Sequence, residues 1–335
     1  MKFDDYLKLL EPGNDLEALA QEARQLTLKH FGRTIQLYVP LYLSNECDNG
    51  CLYCGFREIK KDKRKTLSIE EVKEESDLLY QKGFRHILLV SGEKRDKVTM
   101  PYLREVVSML HKKFDSISLE IFALTEAEYK ELFEAGADGL TVYQEVYDRE
   151  IYKKVHLRGP KSDYEYRLET PERAARAGFY RINIGTLLGL GEWRSEAAML
   201  GQHAAYLKKK FWKAQISVSF PRTKDCPADF KPLNPVSDRQ LVQMICALRI
   251  YQPTLGLVIS TREGKELRDA LIPLGITQMS AESKTAPGAY THKFEAEKQF
   301  DVSDKRTVDE VAGAIFARGY EPVFKDWDKR YIGVL

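Results

Sequence analysis

No apolar run in this chain approaches the ~18 residues that a membrane-spanning helix needs, so no helical anchor is expected. Charge of one sign is also missing. The 52 basic and 50 acidic residues leave a formal charge of +2, so no global field points to nucleic acid or an anionic membrane. Cysteine is scarce, five residues with three crowded into eight positions, which is not the pattern of a secreted disulfide framework. The start, MKFDDYLKLLEPGNDLEALAQEA, is acidic and amphipathic and has no signal-peptide core, so a cytoplasmic protein is expected. Low-complexity tracts, flexible linkers and repeats are absent.

What is present is an alternation. With 43% apolar content over 335 residues, the chain can bury a large core. Short β-like runs fall at 34–43, 86–90, 118–123, 139–143, 181–186, 215–220, 256–259 and 275–280. Helical patterns precede the first run at 16–30 and separate the others at 68–81, 101–113, 125–134, 170–177, 195–211, 238–251 and 265–273, with a last helix at 308–317. Glu71 stands three residues after Ser68, the spacing of a capping box. Eight strands alternating with helices predict parallel βαβ units closed into a TIM-type (β/α)8 barrel; a six-strand partial barrel with added C-terminal elements is the alternative. The expected division is a helical extension over 1–33, the barrel over 34–320 and a tail over 321–335.

Immediately after the first strand comes Cys47-Asp-Asn-Gly-Cys51-Leu-Tyr-Cys54, a C-x3-C-x2-C loop. Thiolates are the soft ligands that iron–sulfur clusters prefer, and three of them on a four-iron cube leave one iron open to a cofactor. A structural zinc site would close its shell with a fourth ligand, and no Cys or His stands beside the triplet to supply one. Cys246, within QMICALRI, reads as a small core residue, and Cys226 as a loop thiol, reactive or inert.

This spacing, with an aromatic before the third cysteine, resembles the radical S-adenosylmethionine enzymes. The resemblance implies a [4Fe–4S] cluster on Cys47, Cys51 and Cys54 and S-adenosylmethionine chelating the open iron. Reductive cleavage would then release a hydrogen-abstracting 5′-deoxyadenosyl radical. Ser91-Gly92-Glu93 is similar to the Gly-Gly-Glu element that holds the methionine amino group, with Ser in the first place. Glu145, after the fourth strand, suits ribose hydroxyls, and Tyr53 suits stacking on adenine. Residues 182–190 suit close approach of adenine or plain core packing. Arg167 reads either as a partner of the methionine carboxylate or as a solvated helix charge.

A more specific resemblance runs through VPLYLSNECDNGCLYCGF (39–56), KRKTL (63–67), VYQEVY (142–147), YRLETPERAARAG (166–178), SVSFPR (217–222), LVQMICALRI (241–250), STRE (260–263), SAESKTAPGAY (280–290) and VFKDWD (323–328). These stretches resemble the 2-iminoacetate synthase family, the tyrosine lyases of thiamine thiazole synthesis. Val146 and Ala289 depart from that pattern, and the leader is short. The resemblance implies cleavage of the Cα–Cβ bond of L-tyrosine to 2-iminoacetate and p-cresol. It also implies electrons from reduced flavodoxin or ferredoxin, and a complex with thiazole synthase to receive a product that water hydrolyses.

The substrate carboxylate needs a fixed cation, and Arg262, just past the seventh strand, offers a guanidinium fork. Tyr42 and Ser280, at the ends of strands one and eight, are the next candidates, although Tyr42 is equally readable as interior packing. His156 and Lys161 are expected either to cover the site or to form a polar loop. The basic run at 60–65 is a solvated loop or a donor-docking surface, and Phe324-Lys325-Asp326-Trp327-Asp328 lies at the bottom or the mouth of the barrel. A hydrogenase-maturation tyrosine lyase would need a second cluster, yet no cysteine follows Cys246. A tryptophan lyase of the same fold and a non-catalytic iron–sulfur carrier are the remaining alternatives.

Overall fold

The computed structural model describes residues 1–58, 63–223 and 230–325. Cys226, residues 60–62 of the basic run and residues 326–328 therefore lie outside the described residues. Eight parallel strands form the barrel: β1 (Thr34–Ser44), β2 (His86–Ser91), β3 (Ser116–Glu120), β4 (Gly139–Glu145), β5 (Arg181–Thr186), β6 (Gln215–Ser219), β7 (Gly256–Ile259) and β8 (Gln278–Ser280). Each pairs with the next, and β8 pairs with β1 through Gln36–Gln278 to Tyr38–Ser280, so the sheet closes. A ninth strand, β9 (Glu321–Val323), lies outside the eight predicted runs and pairs with β1 at Thr34 to Gln36.

The period of two along β1 explains how the barrel holds both a core and a site. Ile35, Leu37, Val39, Leu41 and Leu43 are fully buried in the main apolar cluster, between sheet and helices. The alternate residues Gln36, Tyr38, Pro40 and Tyr42 line interior cavities. Tyr42 is thus an interior side chain and a cavity-lining one at once.

The helices are α1 (Phe3–Leu9), α2 (Leu16–Phe31), α3 (Ile69–Gln81), α4 (Met100–Leu110), α5 (Glu126–Glu134), α6 (Arg149–Val155), α7 (Tyr164–Leu168), α8 (Thr170–Arg176), α9 (Trp193–Lys210), α10 (Asp238–Tyr251), α11 (Lys265–Leu271) and α12 (Val308–Ala317). The capping box expected at Ser68 and Glu71 is present, and Thr125, Ser237 and Thr307 form the same device on α5, α10 and α12. Each such cap contributes about 1 kcal/mol. The N-terminal helices pack outside the barrel. Tyr6 stacks on Tyr251 with ring centres 4.4 Å apart and donates to the Ala197 carbonyl. Leu19, Ala20 and Ala23 close over Cys246, which is a core residue as expected.

No helix among the described residues is long and apolar enough to cross a membrane. Phe324 packs on Phe84, just before β2, at the N-terminal end of the barrel. At the opposite end, two register slips distort the sheet, between Tyr42 and Ser44 on β1 and between Tyr143 and Glu145 on β4. Such irregularities re-aim side chains at a barrel rim. Here they mark the mouth that the strand C-termini build.

Candidate active site

The cysteine loop is tied down from both sides. Asn45, at its base, donates to the Lys63 carbonyl and accepts from the Lys65 N–H. Arg64 reaches the carbonyls of Asn45 and Phe56, and Lys65 pairs with Glu71. The described half of the basic run is therefore engaged with the protein. On the other side, the end of α6 and the segment after it pair with the loop: Gly50 N–H donates to Arg158 O, and Leu52 N–H to Val155 O. Gly92 permits the close approach of the loop after β2, since a Cβ there would stand 2.3 Å from Glu46 O and 3.0 Å from Cys47 Cβ.

Three donors aim at the sulfurs. Glu93 N–H and Asn49 Nδ2 lie 3.4 and 3.6 Å from Cys47 Sγ, and Gln299 Nε2 lies 3.9 Å from Cys54 Sγ. Hydrogen bonds to sulfur are a means by which proteins tune iron–sulfur clusters. Burial, then Cys51 and Cys47, push the Cys54 thiol up to about 12, so a metal rather than ambient pH must displace its proton. Among the described residues no three His, Cys, Asp or Glu side chains converge on a point that one ion would fill. A four-iron cluster makes no such demand, because each thiolate binds its own iron. The donor set fits a cluster.

Glu145 sits where β4 slips, with φ of 69°, a left-handed conformation uncommon outside glycine. Its carbonyl is held there by Leu187 N–H and Thr186 Oγ1 at 2.7 and 2.8 Å. Its carboxylate meets Lys161 Nζ at 2.5 Å and Arg167 at 3.6 Å. Burial opposes its ionisation, but Lys161 and then Arg167 outweigh burial and hold the carboxyl below the ordinary glutamate value. Arg167 also donates to the Tyr143 carbonyl at 2.7 Å, and its side chain is only 11% exposed, so the solvated-charge reading fails.

His156 and Lys161 are likewise built in. His156 is buried, with Nε2 2.7 Å from Tyr53 Oη and Nδ1 2.8 Å from Tyr152 O. Burial, then Lys161, lower it to about 3, so the ring is neutral at pH 7. Lys161 N–H donates to Asn49 Oδ1, and Asn49 in turn donates to Glu93 Oε2 at 2.7 Å. The polar-loop reading of this segment gives way to a wall.

One cavity at the mouth is lined by Tyr42, Tyr53, Cys54, Glu145, Lys161, Arg262 and Ser280 together. Gly92, Glu93 and Arg167 stand behind that lining, against the cysteine loop or Glu145. Arg262 stacks on Phe300, its guanidinium 3.5 Å from the ring centre, and reaches the Arg222 carbonyl at 3.4 Å. Tyr42 donates to Gln299 Oε1 at 2.7 Å, and Ser280 Oγ accepts from Thr261 N–H. Asn49, Glu120, Gln299 and Phe300 were missed. Asn49 lay visibly inside the cysteine motif; the other three carry no local pattern. A larger cavity lies at the other end of the barrel, lined by Gln36, His86, Arg181 and Asn183.

Comparison with known proteins agrees with this geometry. Residues 41–201 match the model of the radical SAM superfamily, and 226–321 that of the biotin and thiamin synthesis associated domain. The chain is 45% identical to the 2-iminoacetate synthase of Escherichia coli K12, spanning 98% of this chain and 88% of the relative. Its counterpart from Salmonella typhimurium is 44% identical over 97% and 87%. Among solved structures, HydG, a maturase of the [FeFe]-hydrogenase, superposes with a TM-score of 0.92 at 30% identity, covering 97% of this chain and 73% of HydG.

Proposed function

The chain belongs to the 2-iminoacetate synthase family of radical SAM enzymes, and on that premise we propose that it cleaves the Cα–Cβ bond of L-tyrosine. The products are 2-iminoacetate and p-cresol, for thiamine thiazole synthesis. The observation that carries this reading is the single cavity lined by Cys54 on one wall and Arg262 on the other. Cys47, Cys51 and Cys54 hold the [4Fe–4S] cluster, with S-adenosylmethionine beside it. When bound, the pair supplies one-electron cleavage of a carbon–sulfur bond and hydrogen abstraction from the substrate.

The protein's own part is binding and orientation. Glu145, kept anionic by Lys161 and Arg167, accepts from the ribose hydroxyls, and Gly92-Glu93 meets the methionine amino group. Tyr53 packs along the adenine. Arg262 pairs with the tyrosine carboxylate, and its stacking on Phe300 limits the rotamers it must give up on binding. Tyr42 and Ser280 complete the substrate wall. Reduced flavodoxin or ferredoxin supplies the electron. Because an imine of this kind hydrolyses in water, thiazole synthase takes it from a complex.

Anaerobic reconstitution with iron and sulfide, then S-adenosylmethionine, dithionite and either L-tyrosine or L-tryptophan, tests the reading. p-Cresol and 5′-deoxyadenosine are expected with tyrosine. Absence of both overturns it, and turnover of tryptophan alone replaces it with a tryptophan lyase.

A further inference from the structure

Most polar groups that line the mouth cavity are already engaged. Glu145 is held by Lys161 and Arg167, and Tyr42 by Gln299. Thr285 donates to the Phe300 carbonyl, and Ser280 accepts from Thr261. Glu120, the last residue of β3, differs. It lines the same cavity, yet among the described residues its carboxylate makes no hydrogen bond and no salt bridge.

Its position has a definite relation to Arg262. In the closed barrel, β4, β5 and β6 separate β3 from β7 one way round, and β2, β1 and β8 the other way. Glu120 therefore stands on the strand diametrically opposite the one that carries Arg262 just past its end. Tyr38 and Tyr42 from β1 and Tyr143 from β4 surround it: burial first, then the Glu120 charge, raise all three phenols. Arg262, several aromatic side chains and a Glu120 carboxylate without a hydrogen-bond partner thus share the lining of one cavity, the two charged groups carried by opposite strands. Ser283, whose buried Oγ also lacks a partner, lies three residues past β8, on the Arg262 side.

We propose that Glu120 accepts the hydrogen bond of the substrate's phenol O–H and thereby selects tyrosine over phenylalanine. The inference rests on the tyrosine-lyase reading and adds the residue at the ring end. An amino acid whose carboxylate is on Arg262 must point its ring across the barrel, toward β3. A carboxylate acceptor makes a charge-assisted bond to a phenol. Burial, then Glu145, push the Glu120 carboxyl up to about 7, against the opposing pull of Arg262, Lys161 and Arg167, and its ionised form is the acceptor. Phenylalanine would desolvate the same carboxylate and give nothing back. Sites built to bond a hydroxyl reject the analogue lacking it by ~10⁴-fold.

The test uses the reconstituted protein with S-adenosylmethionine and compares binding of L-tyrosine and L-phenylalanine by calorimetry, beside p-cresol formation. Unmodified protein should prefer tyrosine by more than about 100-fold. Glu120→Leu should bring the two within about tenfold, with the loss falling on tyrosine alone. Glu120→Gln, which keeps shape and an acceptor, should fall between, and Ser283→Ala should leave the preference unchanged. A preference preserved in Glu120→Leu overturns the inference. So does equal weakening of both amino acids by Glu120→Leu and Glu120→Gln, which would place the carboxylate on the shared ammonium group. In either case p-cresol from the unmodified protein shows that the lyase reading still stands, whereas its absence sinks both.

Discussion

The two walls of the mouth are built on different plans. On the wall that carries the cysteine loop, polar groups in and directly behind the cavity lining bond to one another: Asn49 to Glu93 and Lys161, Lys161 to Glu145, Tyr53 to His156. The opposite wall keeps its ion pairs set back. Arg222 is buried on Glu263, and Arg268 on Asp304, which Arg306 also holds at 2.7 Å. Those pairs fasten the loops after β6, β7 and β8 and leave Arg262 facing the cavity with one long hydrogen bond. On the proposed reading, the first wall is an assembled cradle for a large cofactor and the second a braced arm for a small substrate. Damage to the first should abolish all chemistry, while damage to the arm should uncouple one product from the other.

The largest effect is expected at Cys51. Cys51→Ala should remove the iron–sulfur absorbance and both 5′-deoxyadenosine and p-cresol, and residual 5′-deoxyadenosine would break the comparison at its root. Next, Glu145→Ala leaves Lys161 and Arg167 as two mostly covered cations without their shared anion. Both products should then fall together, by about 100-fold. Arg262→Ala is the contrasting variant. It should lower p-cresol by about 100-fold while 5′-deoxyadenosine changes far less, because only the substrate is misplaced. Equal loss of both products in Arg262→Ala would erase the distinction between the walls.

A stability measurement sharpens the same contrast. Asp304→Asn removes the counter-charge of Arg268, a fully buried guanidinium that also donates to the Ser280 carbonyl. Breaking a buried pair on one side costs about 3–5 kcal/mol. Urea unfolding should show a loss in that range, with 5′-deoxyadenosine formation per folded molecule unchanged. A bracing pair that cost nothing to break would not be a brace.

How far these walls were legible differs in the same way. The cysteine loop and most barrel strands have local signatures, a ligand spacing and period-two runs, and these were read within a few residues. What joins distant segments was not. Gln299 reaches Cys54 across 245 positions, and Arg167 finds Glu145 only because two short helices fold the chain after β4 back over the cysteine loop. A lone arginine in a short helical pattern looks solvated until its partner is known. Glu120 was hidden by a boundary: the run SLEIFA suggests a strand to 123, which buries the glutamate mid-strand, whereas β3 ends at Glu120 and presents it at the rim. β9, Glu-Pro-Val, carries a proline at its centre, which speaks against a strand in sequence.

The smallest expected effect separates what backs each wall by pH. His203, on α9, shares a 2.9 Å hydrogen bond with Tyr147, just behind the cofactor wall. Burial lowers it to about 4, so the folded protein keeps the ring neutral while the unfolded chain takes a proton below pH 6.5. Its contribution to stability is full above that value and declines as pH falls toward 4. Asp304, on the substrate wall, has the opposite charge type. Burial opposes its ionisation, but Arg306 and Arg268 still hold it below the ordinary aspartate value, so its contribution persists until pH falls below about 3.8. Between pH 6 and 4.5 acid should therefore weaken the support of the cofactor wall and leave the substrate-wall brace intact. One such histidine adds a slope of about 1.4 kcal/mol per pH unit at most. Urea unfolding of His203→Gln, which keeps a hydrogen-bonding side chain but cannot titrate, should show a shallower decline over this interval by about 1 kcal/mol per pH unit. Identical slopes in the two proteins would mean that the ring protonates without cost where it sits, and that the cofactor wall has no acid-sensitive support at this position.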